Sequence, residues 1–457
     1  MTEVPSHERR TQQYRRAWGD AVWQFVRPYG RYIYYALRPA QRPDYFQAPW
    51  RCPTSKLTDN ALEVLQFGLL DPERVVFLFL PMVDWHVRFQ RSQQLARALA
   101  GMGHACIYVN PQLGCEYRAP YLLDPQPRLG MLSDGVLELH VHLPRAHQAH
   151  QRALTRSEIR RVVGAVERVL EIGQFRKVVQ IVSFPRWLEV AQSLRERRGF
   201  PVIYDCHDYL RGFDRISTEI LDREDALLER ADSVVFSAEH LRAIMTGSRP
   251  FLLDKSSLVR NAANPADFES AVARQPHPGG PIVGYAGALE SWFDVDLLWQ
   301  VARARPDIRF QLLGRVENRR VLRLKDCPNV EFVAEVPYSE IPGYLKTWNA
   351  AIIPFSQSPL TEAADMIKLY EYFSAGLPVV STPLRQVEQF RELVYIGEDA
   401  RAFSACLDQA LAERSPEKRE LRVGIARQET WAHRARSLVA ISRAWYPAPD
   451  AAPASAR

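Results

Sequence analysis

The sequence predicts an α/β protein of two tandem, doubly wound domains facing a cleft, preceded by an extension and closed by a C-terminal helix. Three observations carry this. From residue 75 onward, apolar runs of strand length alternate with helix-like stretches. The runs are near-continuous Val, Ile, Leu and Phe, as expected of parallel strands covered on both faces. One punctuated stretch, Gln275-Pro-His-Pro-Gly-Gly-Pro281, interrupts the alternation, which then restarts.

Taken in order, residues 1–70 read as an extension. Trp18, Val22, Phe25, Tyr29 and Tyr32 recur at helical steps, broken by Pro28 and Gly30. The first domain, 71–275, has strands expected at 75–80, 105–109, 135–143, 178–182, 202–205, 233–237 and 257–260. Helices are expected at 88–100, 155–172, 186–197, 218–230 and 238–246. The second domain, 276–430, has strands expected at 281–286, 308–313, 330–334, 350–354, 378–382 and 393–397. Ser291 and Asp294 read as a capping box. Ser415 as N-cap and Pro416 at the first helical position start a helix expected to run to about Trp445. Residues 431–457 hold its crossing segment and a Pro/Ala-rich tail.

Composition narrows the function. The 457 residues are 47% hydrophobic and 25% charged, with net charge +6. In residues 1–51, nine Arg against four acids leave +5 of that +6. A near-neutral body with a basic head excludes a general nucleic-acid coat. Arg9, Arg10, Arg15, Arg16, Arg27 and Arg31 beside the aromatic stripe suit an anionic membrane interface or packing on the body. None of the six cysteines forms a C-x-x-C pair, no signal peptide is visible, and the most apolar run is far below the ~20 residues of a span. A cytoplasmic protein is expected, at the inner face of the membrane if the head binds lipid.

The segment richest in chemistry is Met366-Ile-Lys-Leu-Tyr-Glu-Tyr-Phe-Ser-Ala-Gly-Leu-Pro378. Lys368 and Glu371 are three apart and share a helix face. A Lys in the first turn of a helix suits a diphosphate, and a Glu one turn on can accept from a ribose diol. The pair alone would be an ordinary surface ion pair. It stands, however, in an ordered series: Pro281-Ile-Val-Gly-Tyr-Ala-Gly287, Phe310-Gln-Leu-Leu-Gly-Arg315, Asn329 through Val336-Pro-Tyr338, and Ala350-Ala-Ile-Ile-Pro-Phe355.

This series resembles the C-terminal domain of GT-B-fold glycosyltransferases, near glycosyltransferase family 4. The resemblance implies two Rossmann-like domains, a nucleotide-sugar donor in the second, an acceptor in the first, and no metal or cofactor. It implies donor contacts at Gly287, Glu290, Arg315, Tyr338, Lys368 and Glu371. Upstream, Pro81-Met-Val-Asp-Trp-His-Val-Arg88 resembles the first loop, with Asp84, Trp85 and Arg88 as acceptor or phosphate contacts. Leu258-Val-Arg-Asn261 resembles the run before the linker, and Trp431 the Trp of the returning helix. Two departures stand out. Of the family's glutamate pair, Glu371 fits the second, while the first falls on Ala363, with Glu362 one short. Glu290 and Trp292 occupy the loop where the family has Arg and Lys.

Val202-Ile-Tyr-Asp-Cys-His-Asp208 ends a strand with Asp205, His207 and Asp208 clustered, which suits a base for an acceptor hydroxyl. The four histidines His140, His142, His147 and His150 are read as no metal site. The expected function is a metal-independent glycosyltransferase of hexosyltransferase type. It would move sugar from a nucleotide sugar to a saccharide or lipid-linked acceptor in envelope polysaccharide or glycolipid synthesis, with no nucleic-acid partner. The alternatives are a sugar-nucleotide epimerase on the same fold and a catalytically degenerate binding protein.

Overall fold

The structure is a computed structural model. It describes residues 54–64, 74–114, 117, 119–133, 135–145, 149–272 and 279–447. The basic aromatic head, His147, linker residues 275–278 and the tail beyond 447 lie outside the described residues. Their expected roles are therefore not placed.

The described residues fall into two compact units. One comprises those up to His86, Ala100–Pro201 and Ser217–Arg223; the other Val87–Leu99, Val202–Ile216 and Glu224 onward. In the first unit the strands are β1 (Thr54–Lys56), β2 (Val76–Leu80), β3 (Ala105–Val109), β4 (Arg128–Ser133), β5 (Val136–His140) and β6 (Val178–Val182). They run in the order β1-β4-β5-β3-β2-β6. β2, β3, β5 and β6 are parallel and wholly buried, as expected of apolar runs broken only by Glu138 and His140 in β5 and Gln180 in β6. The all-parallel expectation needs one correction. β4 pairs antiparallel with β5 and β1 antiparallel with β4, because Gly135, at φ 79°, turns the chain back at the sheet edge.

Helix α1 (Arg91–Gly101) bridges the units in sequence, and α2 (Arg156–Ile172) and α3 (Leu188–Arg198) follow. α2 starts with a complete capping box of Thr155 and Glu158. α3 stops at Gly199 in the left-handed region.

The second unit holds β7 (Val202–Cys206), β8 (Ser233–Phe236) and β9 (Ser256–Leu258), mutually parallel; α4 (Thr218–Arg230), before β8, is divided between the units at Arg223, and α5 (Glu239–Gly247) follows β8. It also holds a six-stranded parallel sheet: β10 (Ile282–Ala286), β11 (Arg309–Leu313), β12 (Val330–Val333), β13 (Ala350–Ile353), β14 (Val379–Ser381) and β15 (Val394–Ile396). Its order, β12-β11-β10-β13-β14-β15, reverses direction between β10 and β13. A ligand is expected beyond the carboxyl ends of those two strands. Helices α6 (Val295–Ala304), α7 (Ile367–Ser374) and α8 (Ala400–Ala412) flank this sheet.

Two local expectations are corrected. Asp294 is itself the N-cap of α6, accepting from the Leu297 N–H at 2.9 Å, so Ser291 opens no capping box. The single helix expected from Ser415 to about Trp445 is two, α9 (Pro416–Gln428) and α10 (Trp431–Ser442). Glu429 leaves helical geometry, and Thr430, extended, caps α10 through the His433 N–H. The break is held by Ala263, which donates to the Glu429 carbonyl and accepts from the Trp431 N–H, both at 3.2 Å.

Candidate functional site

The switch point between β10 and β13 is built around glycines. β10 ends in Gly287 at φ 149° and β11 in Gly314 at φ 145°. A Cβ on Gly314 would lie 2.0 Å from the Gly287 carbonyl oxygen, so the two turns can pack only without side chains. A Cβ on Gly287 would sit 3.4 Å from Lys368 Nζ, which puts the lysine against the turn. Lys368 is the second residue of α7. Its amine lies 5.4 Å from the ring centre of Tyr285, on β10, and 4.8 Å from that of Phe355, just past β13. α7 is fixed at its C-terminal end. The Tyr372 hydroxyl accepts from the Ala286 N–H at 2.8 Å. Gly376 and Leu377 donate back to Phe373 and Tyr372, closing the helix with a left-handed glycine.

Glu371, one turn beyond Lys368, is buried. Burial pushes its carboxyl up to about 7, offset in part by Lys368, and burial pulls the Lys368 amine down to about 8. Tyr338 lies beside Glu371 and Gln94, and its buried hydroxyl makes no hydrogen bond of ordinary geometry to either. Both amide atoms of buried Gln94, on α1, are likewise unpartnered. Sequence reasoning missed Gln94, which sits in a helix of ordinary amphipathic pattern.

Other predicted donor contacts are engaged elsewhere. Glu290 accepts from the Ser291 N–H and lies 3.6 Å from Arg215. Arg315 is mostly exposed and pairs with Glu317 at 3.3 Å. Arg88, at φ 51°, pairs with Glu317 at 2.6 Å and Glu335 at 3.1 Å. Ala363, at the family's first glutamate position, is buried, and the neighbouring Glu362 pairs with Arg385 at 3.4 Å. An open cavity of about 730 Å³ is lined by Arg309, Gln311, Tyr344 and Thr347. It touches the first residues of β10 and β11, the wrong end of the strands for a ligand of this fold.

The end of β7 supplies a second cluster in the same unit. His207 Nδ1 lies 3.0 Å from the Asp205 carbonyl oxygen, which fixes the proton on Nδ1. Nε2 is then the basic nitrogen, 3.4 Å from Asp208 Oδ2. Asp205, predicted with them as catalytic, is corrected to a structural role. Its buried carboxylate takes the Arg91 guanidinium at 2.8–3.0 Å and has no face left for substrate. Arg91 continues to Asn261, whose backbone N–H donates to Asp365; the Tyr370 hydroxyl donates to the same carboxyl. This buried chain ties the end of β7 to the residue before the α7 cap. The segment after β7 packs on elements of the second sheet as well: Phe213 against Trp292, and Gly212 so close to Leu360 that a Cβ would lie 2.9 Å away.

In the first unit, Asp84 accepts from the His86 N–H at 2.9 Å and Trp85 packs edge-on against Tyr108. His86 and His140 both place Nε2 on Glu138 Oε2, at 3.0 and 3.1 Å, and Asn110 donates to Oε1 at 2.8 Å. Glu138 belongs to no motif that the sequence displays. Two residues before His140 on β5, it shares that face by strand alternation. His142 belongs elsewhere: Nδ1 meets the Asp124 carbonyl at 2.6 Å and the ring stacks on Tyr117.

With this geometry in hand, the comparisons with known proteins are direct. Residues 280–414 match the family described as glycosyl transferases group 1. TuaH of Bacillus subtilis (strain 168), provisionally named a teichuronic acid biosynthesis glycosyltransferase, is 27% identical over 258 residues. That match covers 50% of this chain and 64% of TuaH, so the chain spans just under two thirds of that relative. Among solved structures, sucrose-phosphate synthase from Thermosynechococcus elongatus superposes with a TM-score of 0.61 at 16% identity, covering 82% of this chain and 99% of that one. Anabaena HepE in complex with UDP and glucose superposes with a TM-score of 0.54 at 12% identity, covering 81% and 99%. The expected GT-B fold stands: these structures share the α/β architecture, and the group 1 match covers the donor-type half.

Proposed function

We propose that this GT-B-fold protein, with its group 1 glycosyltransferase domain at 280–414, transfers a sugar from a nucleotide-sugar donor to an acceptor hydroxyl. One observation carries this above the rest: Lys368, half-buried, and Glu371, buried, with no ion pair within 4 Å among the described residues, sit by the carboxyl ends of β10 and β13 under a turn that only glycines can form. In this reading Lys368 faces the diphosphate, and its charge stabilises the leaving group as the bond to the sugar breaks. Glu371 accepts from the ribose diol. No metal is needed at that point, because the lysine meets the developing negative charge.

His207 Nε2 removes the acceptor proton, and Asp208 stabilises the imidazolium that forms. The acceptor is a saccharide or lipid-linked saccharide of envelope polysaccharide synthesis, in line with the teichuronic acid role carried in TuaH's name. Among the described residues no helix is long and apolar enough to cross a membrane. Peripheral contact through residues 1–51 is the proposed route to a lipid-linked acceptor. Deleting 1–51 should abolish co-sedimentation with anionic vesicles, and persistence of binding would refute that route.

The main test is a thermal-shift panel of nucleotide diphosphates and nucleotide sugars, since a bound ligand raises the melting temperature. The responding base and sugar name the donor. No response to any of them sinks the proposal. His207→Ala should then cut turnover by about 10²–10⁴-fold while the nucleotide shift survives. Nucleotide binding with no turnover in the unmodified protein would favour a degenerate binding protein, the reading that the missing first glutamate suggests.

A further inference from the structure

The first unit carries a cluster that the proposed reaction does not use. We propose that Asp84, His86, Glu138 and His140 form a site for one divalent ion of the zinc class. Asp84, His86 and Glu138 each bring a ligand atom within 4.8 Å of the others. His140 Nε2 stands 3.1 Å from Glu138 Oε2, the oxygen that His86 Nε2 approaches to 3.0 Å.

Around a tetrahedral ion with bonds near 2.0–2.2 Å, neighbouring ligand atoms lie about 3.4 Å apart. The two contacts on Glu138 Oε2, at 3.0 and 3.1 Å, are a few tenths shorter, as for ligands drawn together in the ion's absence. Two separate parts of the chain deliver the donors: the loop after β2 brings Asp84 and His86, and β5 brings Glu138 and His140. Both pairs have the spacing residue-x-His. On β5 that spacing places both side chains on one face.

The surroundings are those of a supported ligand set. Asn110, which directly follows β3, donates to Glu138 Oε1 at 2.8 Å. Asn110 is itself held by the Gln112 N–H at 2.8 Å. Partners of this kind orient first ligands and raise affinity. Two imidazole nitrogens with two carboxylate oxygens form a borderline donor set. It selects zinc over magnesium or calcium, which take oxygen alone. The competing occupants are two protons, one on each Nε2, shared with Glu138.

Zinc in this place would pin the Asp84–His86 loop to β5. The site lies in a different unit from Lys368 and Glu371, so its failure and that of the transferase reading are separable. The full chain, stripped with a chelator, is titrated with zinc chloride by calorimetry, and magnesium chloride serves as control. The expected result is one saturable equivalent of zinc, none of magnesium, and at least about tenfold weaker zinc binding in both His86→Ala and Asp84→Asn. Both replaced residues are partly exposed, and an unchanged circular dichroism spectrum with a cooperative melt of the metal-free protein shows that each variant is folded. Absence of a saturable zinc equivalent overturns the proposal. So does equal affinity in both variants, or equal binding of magnesium; the protons are then the occupants.

Discussion

Glu138, in the middle of β5, and Glu371, on α7, are both buried glutamates, yet their acidities move in opposite directions. Burial alone would raise both. At Glu138, His140 and His86 outweigh burial and bring the carboxyl well below its ordinary value. At Glu371, Lys368 offsets burial only partly, and the carboxyl ends near 7. The difference is partner count. Glu138 meets two imidazoles and an amide; Glu371 meets the Tyr338 hydroxyl and one lysine whose own proton is loosened by burial. Partners supplied by the chain hold the Glu138 carboxylate in its charged form. Groups left short, with Tyr338 and Gln94 beside them, mark where a ligand has yet to supply the missing interactions.

The strongest way to break this comparison is Glu138→Ala. It should destabilise the protein by about 3–5 kcal/mol, read by chemical denaturation, because it strands the buried groups that converge on the carboxylate. A loss below about 1 kcal/mol would mean that the cluster is not held by Glu138. Lys368→Ala should cost about 10²–10³ in kcat/KM with little change in stability, since the lysine forms no hydrogen bond or ion pair within 4 Å among the described residues and Glu371 can take up a proton in its absence. A drop in melting temperature with unchanged turnover would reverse the assignment.

The pH dependence follows from the same pair. Affinity for a nucleotide diphosphate should fall as pH rises through about 8, where free Lys368 loses its proton, and Lys368→Arg should move that fall upward. Glu371 has a raised folded value, so the native state holds its proton longer than the unfolded chain does. Stability should therefore decline as pH rises from the ordinary glutamate range to about 7, and Glu371→Gln should abolish that decline. The smallest effect is Asp294→Ala, about 1 kcal/mol from the lost α6 cap, with both clusters intact.

Much of the donor side was legible because its signals are local. Lys368 and Glu371 sit a helical turn apart, Gly287 and Gly314 follow apolar strand runs, and Gly376 ends a helix. Spacing and residue type suffice to find them. Asp205 was misjudged for the converse reason. Its sequence neighbours His207 and Asp208 suggest a catalytic group, while the residue that claims it, Arg91, is 114 positions away. Glu138 was within reach of strand periodicity, but its partner His86 lies 52 positions upstream. The split of the last helix also came from afar, through the bonds that Ala263 makes around Thr430.

What the sequence determined by itself is therefore the alternation of strands and helices, the glycine turns and the one-turn spacing of the donor pair. Each depends on contacts within a few residues, which periodicity and backbone sterics encode directly. The tertiary structure alone decided which carboxylates are satisfied. A carboxylate's charge state depends on what folding brings within hydrogen-bond reach, and residues 52 or 114 positions apart carry no local mark of meeting.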